Sequence, residues 1–204
     1  MKKSFVDVYI AEIPAQIQLQ PLSHSARNEE ILRIKNESVK RQKYCVWKLL
    51  EHALQKSLGI DVSDTDLQKS NTGKWVSSRF ECSLSHSAYA VAVAISNLPV
   101  GIDIEESKPH PNEEKLAEFI LTPDELIAFQ GTPTDEKNRF LIEKWTAKES
   151  TFKRSGGKSF QPRTIQLNPS TLYTVALTAG GTDHILSVTS DCIETVTIHD
   201  WIEL

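Results

Sequence analysis

Cysteine is scarce in this chain of 204 residues: Cys45, Cys82 and Cys192 are all there are, an odd number with no Cys-x-x-Cys pair. Neither a disulfide framework nor a zinc site is expected, and the three read as small buried apolar residues of a protein kept in the reducing cytoplasm. Long hydrophobic runs are missing too. No stretch approaches the ~18 apolar residues that a membrane-spanning helix needs, so no membrane span is expected. The basic start at Lys2 and Lys3 is soon interrupted by Asp7 and Glu12, with no small-residue cleavage site, and reads as a first strand rather than a signal peptide. A large charge of one sign is also lacking. The formal net charge is −4, and no recognition-helix or stacking motif is found, which argues against a nucleic-acid surface. No Gly-x-Ser-x-Gly elbow exists to support a serine nucleophile.

What is present describes an ordinary folded protein, with 39% hydrophobic and 25% charged residues and a length between one large domain and two small ones. The small net charge hides an asymmetry. Residues 1–102 hold 13 basic and 10 acidic side chains, and residues 103–204 hold 10 and 17, so the halves carry +3 and −7. Arg33, Lys35, Lys40, Arg41, Lys43 and Lys48 stand against the single acid Glu37. Such a run is either a solvated helix face or a phosphate-binding flank.

Hydrophobic spacing outlines the elements. Val6, Val8 and Ile10 alternate as a strand ending near Pro14. From Glu29 to Leu58 there is no Pro or Gly, and apolar residues recur at helical spacing until Gly59, as one long helix or two in series. Asn71 to Lys74 reads as a turn and Phe80 to Leu84 as the start of a strand. Ala88 to Ser96 puts Val91, Val93 and Ile95 on one face and alanines on the other, a small face that predicts close approach by a helix. The turn at Ser96-Asn97-Leu98-Pro99 predicts a hairpin into Val100 to Glu105. Thr122-Pro123-Asp124-Glu125 is a capping-box sequence after a helix near Glu113 to Leu121. A further helix spans Glu136 to Arg154, and strands at Tyr173 to Leu177, His184 to Val188 and Glu194 to Ile198 close the chain. The expected fold class is α+β, with two similar lobes, residues 1–105 and 106–204, of antiparallel strands with packed helices.

Three segments could carry chemistry. In Gly101-Ile102-Asp103-Ile104-Glu105 the carboxylates share a strand face about 7 Å apart. They repel unless a cation sits between them, and Mg²⁺ is the natural partner; the alternative is the solvent side of an edge strand. In Trp145-Thr146-Ala147-Lys148-Glu149-Ser150-Thr151-Phe152-Lys153, the residues Trp145, Glu149 and Lys153 are successive i, i+4 neighbours, either a held carboxylate or one surface ion pair on an amphipathic helix. In Ser83-Leu84-Ser85-His86-Ser87, His86 and its hydroxyl neighbours suit phosphate oxygens or a structural role.

The order of these motifs, a Gly73-Lys74 turn, Phe80 to Ser87, GIDIE at Gly101 to Glu105 and WTAKES from Trp145 leading to Lys153, resembles the 4′-phosphopantetheinyl transferases of the single-chain, surfactin-synthetase-type branch. GIDIE some 40 residues before WTAKES is the specific part, and the likeness spans roughly residues 35–158. The resemblance implies two lobes related by a pseudo-twofold, a coenzyme A site between them, and transfer of the phosphopantetheine arm to a carrier-protein serine with release of adenosine 3′,5′-bisphosphate. Asp103, Glu105 and Glu149 then match metal ligands for Mg²⁺ or Mn²⁺. Glu149 matches the general base and Lys153 the residue that stabilises the departing phosphate. Lys74, Ser85, His86 and Lys148 match coenzyme contacts, and Arg41 or Lys43 takes the place of the arginine that grips the 3′-phosphate. Gly73-Lys74-Trp75 departs from the family's Gly-Lys-Pro turn. Glu125 also matches a recurrent family glutamate, but its capping box explains it. The expected partners are coenzyme A and an acyl, polyketide or peptidyl carrier protein, with the enzyme a monomer. The alternatives are a non-catalytic module binding coenzyme A or a carrier, and a metal-dependent phosphohydrolase using the same carboxylates.

Overall fold

The computed structural model describes residues 3–179 and 181–204. In chain order the elements are β1 (Val6–Glu12), α1 (Ser25–Leu32), α2 (Glu37–Leu58), β2 (Gln68–Lys69), β3 (Trp75–Val76), β4 (Glu81–His86), β5 (Ala90–Ser96), β6 (Val100–Glu106), α3 (Glu113–Ile120), α4 (Pro123–Gly131), α5 (Thr134–Ser155), β7 (Leu172–Ala179), β8 (Thr182–Ser190) and β9 (Val196–Ile202). The result is a mixed α+β protein. One sheet has the order β4-β5-β1-β9, another β6-β8-β7, and β2 with β3 forms a small ribbon. All pairings are antiparallel except β1 with β9, where the C-terminal strand joins the first sheet in parallel.

The two larger sheets are built alike. In each, a first strand (β1 or β6) pairs with the last of its set (β5 or β8), which pairs with the middle one (β4 or β7). A 22-residue helix follows the first strand in both cases, α2 after the short helix α1 and α5 after α3 and α4. Both long helices end at a glycine in the left-handed region, Gly59 at φ 66° and Gly156 at φ 65°, where a side chain would be strained. The long basic segment divides into α1 and α2, with Asn36 accepting from the Val39 amide to restart the helix. The capping box at Thr122 and Glu125 is closed in both directions.

The core explains two departures from the sequence reading. Val91, Val93 and Ile95 of β5 do meet a helix, α2, alongside buried Trp47, Leu50 and Leu54. The alanine face of β5 meets no helix: Ala90, Ala92 and Ala94 pack against Ile102, Ile104, Leu186 and Val188 of the other sheet. Small side chains let the sheets approach, which is why a whole sheet rather than one helix covers that face. The predicted β5–β6 hairpin is likewise absent. After the 97–99 turn, β6 leaves the first sheet and pairs with β8, so β5 and β6 stack instead of sharing a ladder. All three cysteines are free and buried, as expected for small core residues.

Helix α5 lies on the outer face of β6 and β8. Contact is close: a Cβ on Gly101 would fall 1.9 Å from the Ser150 carbonyl oxygen and 2.5 Å from the Arg154 nitrogen. The rest of that interface is hydroxylic, with Thr146 bonded to Ser187 and Ser150 to Thr189, each at 2.8 Å. A smaller cluster of Ala117, Ile120, Leu121, Phe129 and Leu141 ties α3 and α4 to α5.

Candidate active site

Strand alternation places Ile102 and Ile104 in the intersheet core and turns Asp103 and Glu105 toward α5. The absence of a side chain at Gly101 lets α5 settle near enough for Glu149 and Lys153, one turn apart, to reach those carboxylates. The Lys153 ammonium lies 2.6 Å from Asp103 Oδ1 and 3.4 Å from a Glu149 carboxylate oxygen. From the other sheet, Ser85 donates its hydroxyl to Asp103 Oδ1 at 2.7 Å and accepts from the Lys153 ammonium at 3.2 Å and the Ile104 amide at 3.3 Å. Two strands from different sheets and a helix therefore meet at one carboxylate.

The electrostatics follow from crowding three acids in a half-buried place. Burial, the Asp103 charge and, more weakly, Glu149 push the Glu105 carboxyl up to about 7 against the pull of Lys153 and Trp145. Burial and Asp103 raise Glu149, against the pull of Lys153. Burial alone would lower the Lys153 ammonium, but Asp103 and Glu149 hold it above its ordinary value. The cluster thus holds more negative charge than one ammonium balances. Asp103 Oδ2 is buried with no hydrogen-bond partner, a costly position for a carboxylate oxygen. Among the described residues no three His, Cys, Asp or Glu side chains converge as a ready metal cage, because Lys153 stands between Asp103 and Glu149. The donor set nonetheless fits a hard divalent cation in its chemistry: three carboxylates, one with an unpartnered oxygen.

His86, at the end of β4, is held below the usual imidazole value first by burial and then by the positive charges of Lys153, Lys43 and Arg27. Of the two basic residues expected at the 3′-phosphate, Lys43 is the one near this histidine. Arg41 instead donates to the Ala15 carbonyl at 2.6 Å. Lys74 lies in a cleft of about 220 Å³ with Trp75, Phe152, Lys153, Gly156 and Gly157. Its ammonium is 3.7 Å from Glu81 and within 3.5 Å of the Val100 and Arg154 carbonyls. Ser85 has both lone pairs and its proton engaged inside the protein, which gives it a structural bond to Asp103 rather than a free coenzyme contact.

Lys148 is not brought to this cluster. It is fully buried, and its ammonium is fixed 2.6 Å from Glu125 and 2.8 Å from the Ile120 carbonyl. Its place on α5, one residue before Glu149, turns it a quarter-circle or so away, toward α3 and α4. Glu125 therefore does more than cap α4: it also neutralises a buried lysine. Arg27, by contrast, comes to the neighbourhood of His86 from α1, which carries no motif. Its only sequence signal is an acid at i+3, Glu30, a pattern common on any helix.

A family model described as the 4′-phosphopantetheinyl transferase superfamily matches residues 99–190, the stretch holding β6, α5 and β8. The chain is 26% identical over 158 residues to 4′-phosphopantetheinyl transferase psf-1 of Bacillus pumilus, covering 69% of this chain and 67% of that one. It is 24% identical to 4′-phosphopantetheinyl transferase HetI of Nostoc sp., covering 74% and 69%. It is 33% identical to 4′-phosphopantetheinyl transferase gsp of Aneurinibacillus migulanus over a shorter stretch, 56% of this chain and 48% of that one.

Proposed function

We propose that the chain, similar to 4′-phosphopantetheinyl transferases over residues 99–190 and to enzymes of that name along most of its length, is an enzyme of that class and transfers the 4′-phosphopantetheine arm of coenzyme A to a serine of an acyl or peptidyl carrier protein. The observation that carries this reading is the Lys153 ammonium held between Asp103 and Glu149 and braced by Ser85. A diphosphate is attacked at one phosphorus, a serine oxygen–phosphorus bond forms, and the bond to the bridging oxygen breaks, so adenosine 3′,5′-bisphosphate departs. Charge grows on the leaving oxygen, and an ammonium fixed against two carboxylates is placed to stabilise it. Glu149, raised above an ordinary carboxyl, accepts the serine proton.

Asp103, Glu105 and Glu149 would hold Mg²⁺, or Mn²⁺ in its place. That cation would neutralise diphosphate charge. Lys43 and Lys74 extend the positive surface along which coenzyme A lies, and His86, kept uncharged by burial and its cationic neighbours, offers it a hydrogen-bonding group. We further propose that the chain divides into lobes 1–105 and 106–204 related by a pseudo-twofold. The repeated strand order and the paired 22-residue helices support this, with β6, at the end of the first range, bonded into the sheet of the second. We propose a cytoplasmic monomer as the working form.

Incubation with coenzyme A, Mg²⁺ and a panel of apo carrier proteins should add the mass of the phosphopantetheine arm to at least one. No adduct on fatty-acid, polyketide or peptide-synthetase carriers would overturn the proposal. Release of free phosphopantetheine without a carrier would identify a phosphohydrolase instead.

A further inference from the structure

We infer that the Lys153 ammonium and a divalent cation compete for the same carboxylate seat between Asp103 and Glu149, so that Lys153 sets how tightly the protein holds its metal and swings to the cleft side as the metal binds. The inference rests on the metal-dependent reading above and goes beyond it by giving one side chain two successive positions.

The contacts define the contested ground. The Lys153 ammonium reaches Asp103 Oδ1 at 2.6 Å and Glu149 at 3.4 Å, and Glu105 feels both carboxylates and the same ammonium. Among the described residues Lys153 is the single lysine or arginine in ion-pair contact with any of the three acids. One unit of positive charge thus faces three carboxylates, and a point charge on a flexible stem cannot gather them as a hard divalent cation does. Asp103 records the shortfall. Its side chain is buried, its Oδ1 takes both the Ser85 hydroxyl and the ammonium, and its Oδ2 is left without a hydrogen-bond partner. A closed structural ion pair would not leave a dry carboxylate oxygen unpaired, because that oxygen keeps its full desolvation cost.

Lys153 is also built to move. It stands in the last turn of α5, its side chain is 27% exposed, and it lines the cleft that holds Lys74, Gly156 and Gly157. Its remaining contact is to the uncharged Ser85 hydroxyl at 3.2 Å. Lys148, on the same helix, shows what an anchored lysine looks like: its side chain is fully buried and pinned by Glu125 and the Ile120 carbonyl. The same motif therefore holds one lysine fixed and one poised, and the poised one carries its charge into the cleft when it gives up the carboxylates.

Mn²⁺ titrated into the full chain without coenzyme A, with free Mn²⁺ read by electron paramagnetic resonance, tests the inference. Lys153→Met should bind Mn²⁺ about tenfold or more tightly than the wild type, since it removes a positive charge from beside the ion. Lys153→Arg keeps a cation there and should stay within about threefold of the wild type. Mn²⁺ should also raise the melting temperature of Lys153→Met more than that of the wild type, by mass action. Equal or weaker Mn²⁺ binding by Lys153→Met, or Lys153→Arg binding as tightly as Lys153→Met, would overturn the inference and leave the transferase reading standing. Lys153→Met leaves three acids facing one another, so if it is unfolded alone Mn²⁺ should restore its fold; a variant that stays unfolded with Mn²⁺ would overturn the inference. No Mn²⁺ binding by Lys153→Met overturns the inference alone where the wild type still modifies a carrier, and both readings where it modifies none.

Discussion

Helices α2 and α5 have the same length, the same kind of glycine stop and the same place after the first strand of a sheet, yet they meet their sheets by opposite means. Helix α2 is seated by bulk: Trp47, Leu49, Leu50, Ala53 and Leu54 are all fully buried. Helix α5 is seated on its sheet by the lack of bulk, through Gly101, and by hydroxyls, with Thr146 and Ser150 bonded to Ser187 and Thr189, while its buried Leu141 and Lys148 turn to α3 and α4. Apolar packing is non-directional and stabilises wherever surface is removed from water. Hydroxyl pairs and a glycine contact hold only in one register. One helix is built to be held and the other to be aimed, and the aimed one carries Glu149 and Lys153.

The largest effect that would sharpen this contrast is on chemistry. Glu149→Gln should lower turnover by about 10²- to 10⁴-fold, the usual contribution of a general base, while thermal stability and coenzyme A binding stay measurable. Retained activity would remove Glu149 from the mechanism. Next comes the buried lysine of the aimed helix. Lys148→Met removes the ammonium 2.6 Å from Glu125, leaving that carboxylate the Thr122 amide and Lys144 at 3.9 Å, and should cost about 3 kcal/mol in urea unfolding, the lower end for a broken buried ion pair. A variant as stable as wild type but with a raised Michaelis constant for coenzyme A would return Lys148 to the binding site.

The two seats can then be compared directly. Leu50→Ala should cost about 2–5 kcal/mol through a cavity under α2, with turnover per folded molecule retained. Gly101→Ala should cost about 1–3 kcal/mol or more by overpacking, and should depress turnover per folded molecule because α5 must move to make room. Equal turnover in the two variants would break the distinction between held and aimed. The smallest effect is on acid stability. The Glu30 carboxyl, opposed by burial but drawn down by Lys69 and Arg27 to about 2, lies below its unfolded value near 4.5. Its contribution is complete above about pH 4.5 and lost as the pH falls toward 2. The urea midpoint of the wild type should therefore fall more steeply than that of Glu30→Gln across this window, and parallel curves would count against it.

Period and capping rules read most elements well: β1, α2, the α4 cap, β7 and β8 stand where spacing places them, whereas α1 starts four residues before Glu29 and β9 begins at Val196 after a 3-10 turn and runs on to Ile202. They failed where tertiary partners decide. Nothing in Ala88 to Ser96 says whether a small face awaits a helix or a sheet, and the Asn97 turn looks the same whether the next strand pairs or crosses over. The site divides along the same line. Strand and helix repeats pair Asp103 with Glu105 and Glu149 with Lys153, but only the family resemblance joined the two pairs before the fold did. Lys148 shares their motif, but one residue of helix rotation sends it to Glu125. Arg27 and Lys69 sit on unmarked segments, and only the fold puts them beside Glu30.

The serines of β4 carry one more implication. Ser83 accepts from the Ile102 amide at 3.1 Å and Ser85 from the Ile104 amide at 3.3 Å, so two side chains spaced by one strand repeat engage alternate backbone amides of the facing strand. The stacked sheets are stitched together at the interval of the strand itself. A slip of one residue would face Leu84 with an amide and strand Asp103 without its hydroxyl. Asp103 is therefore located by the seam between two sheets and by no loop.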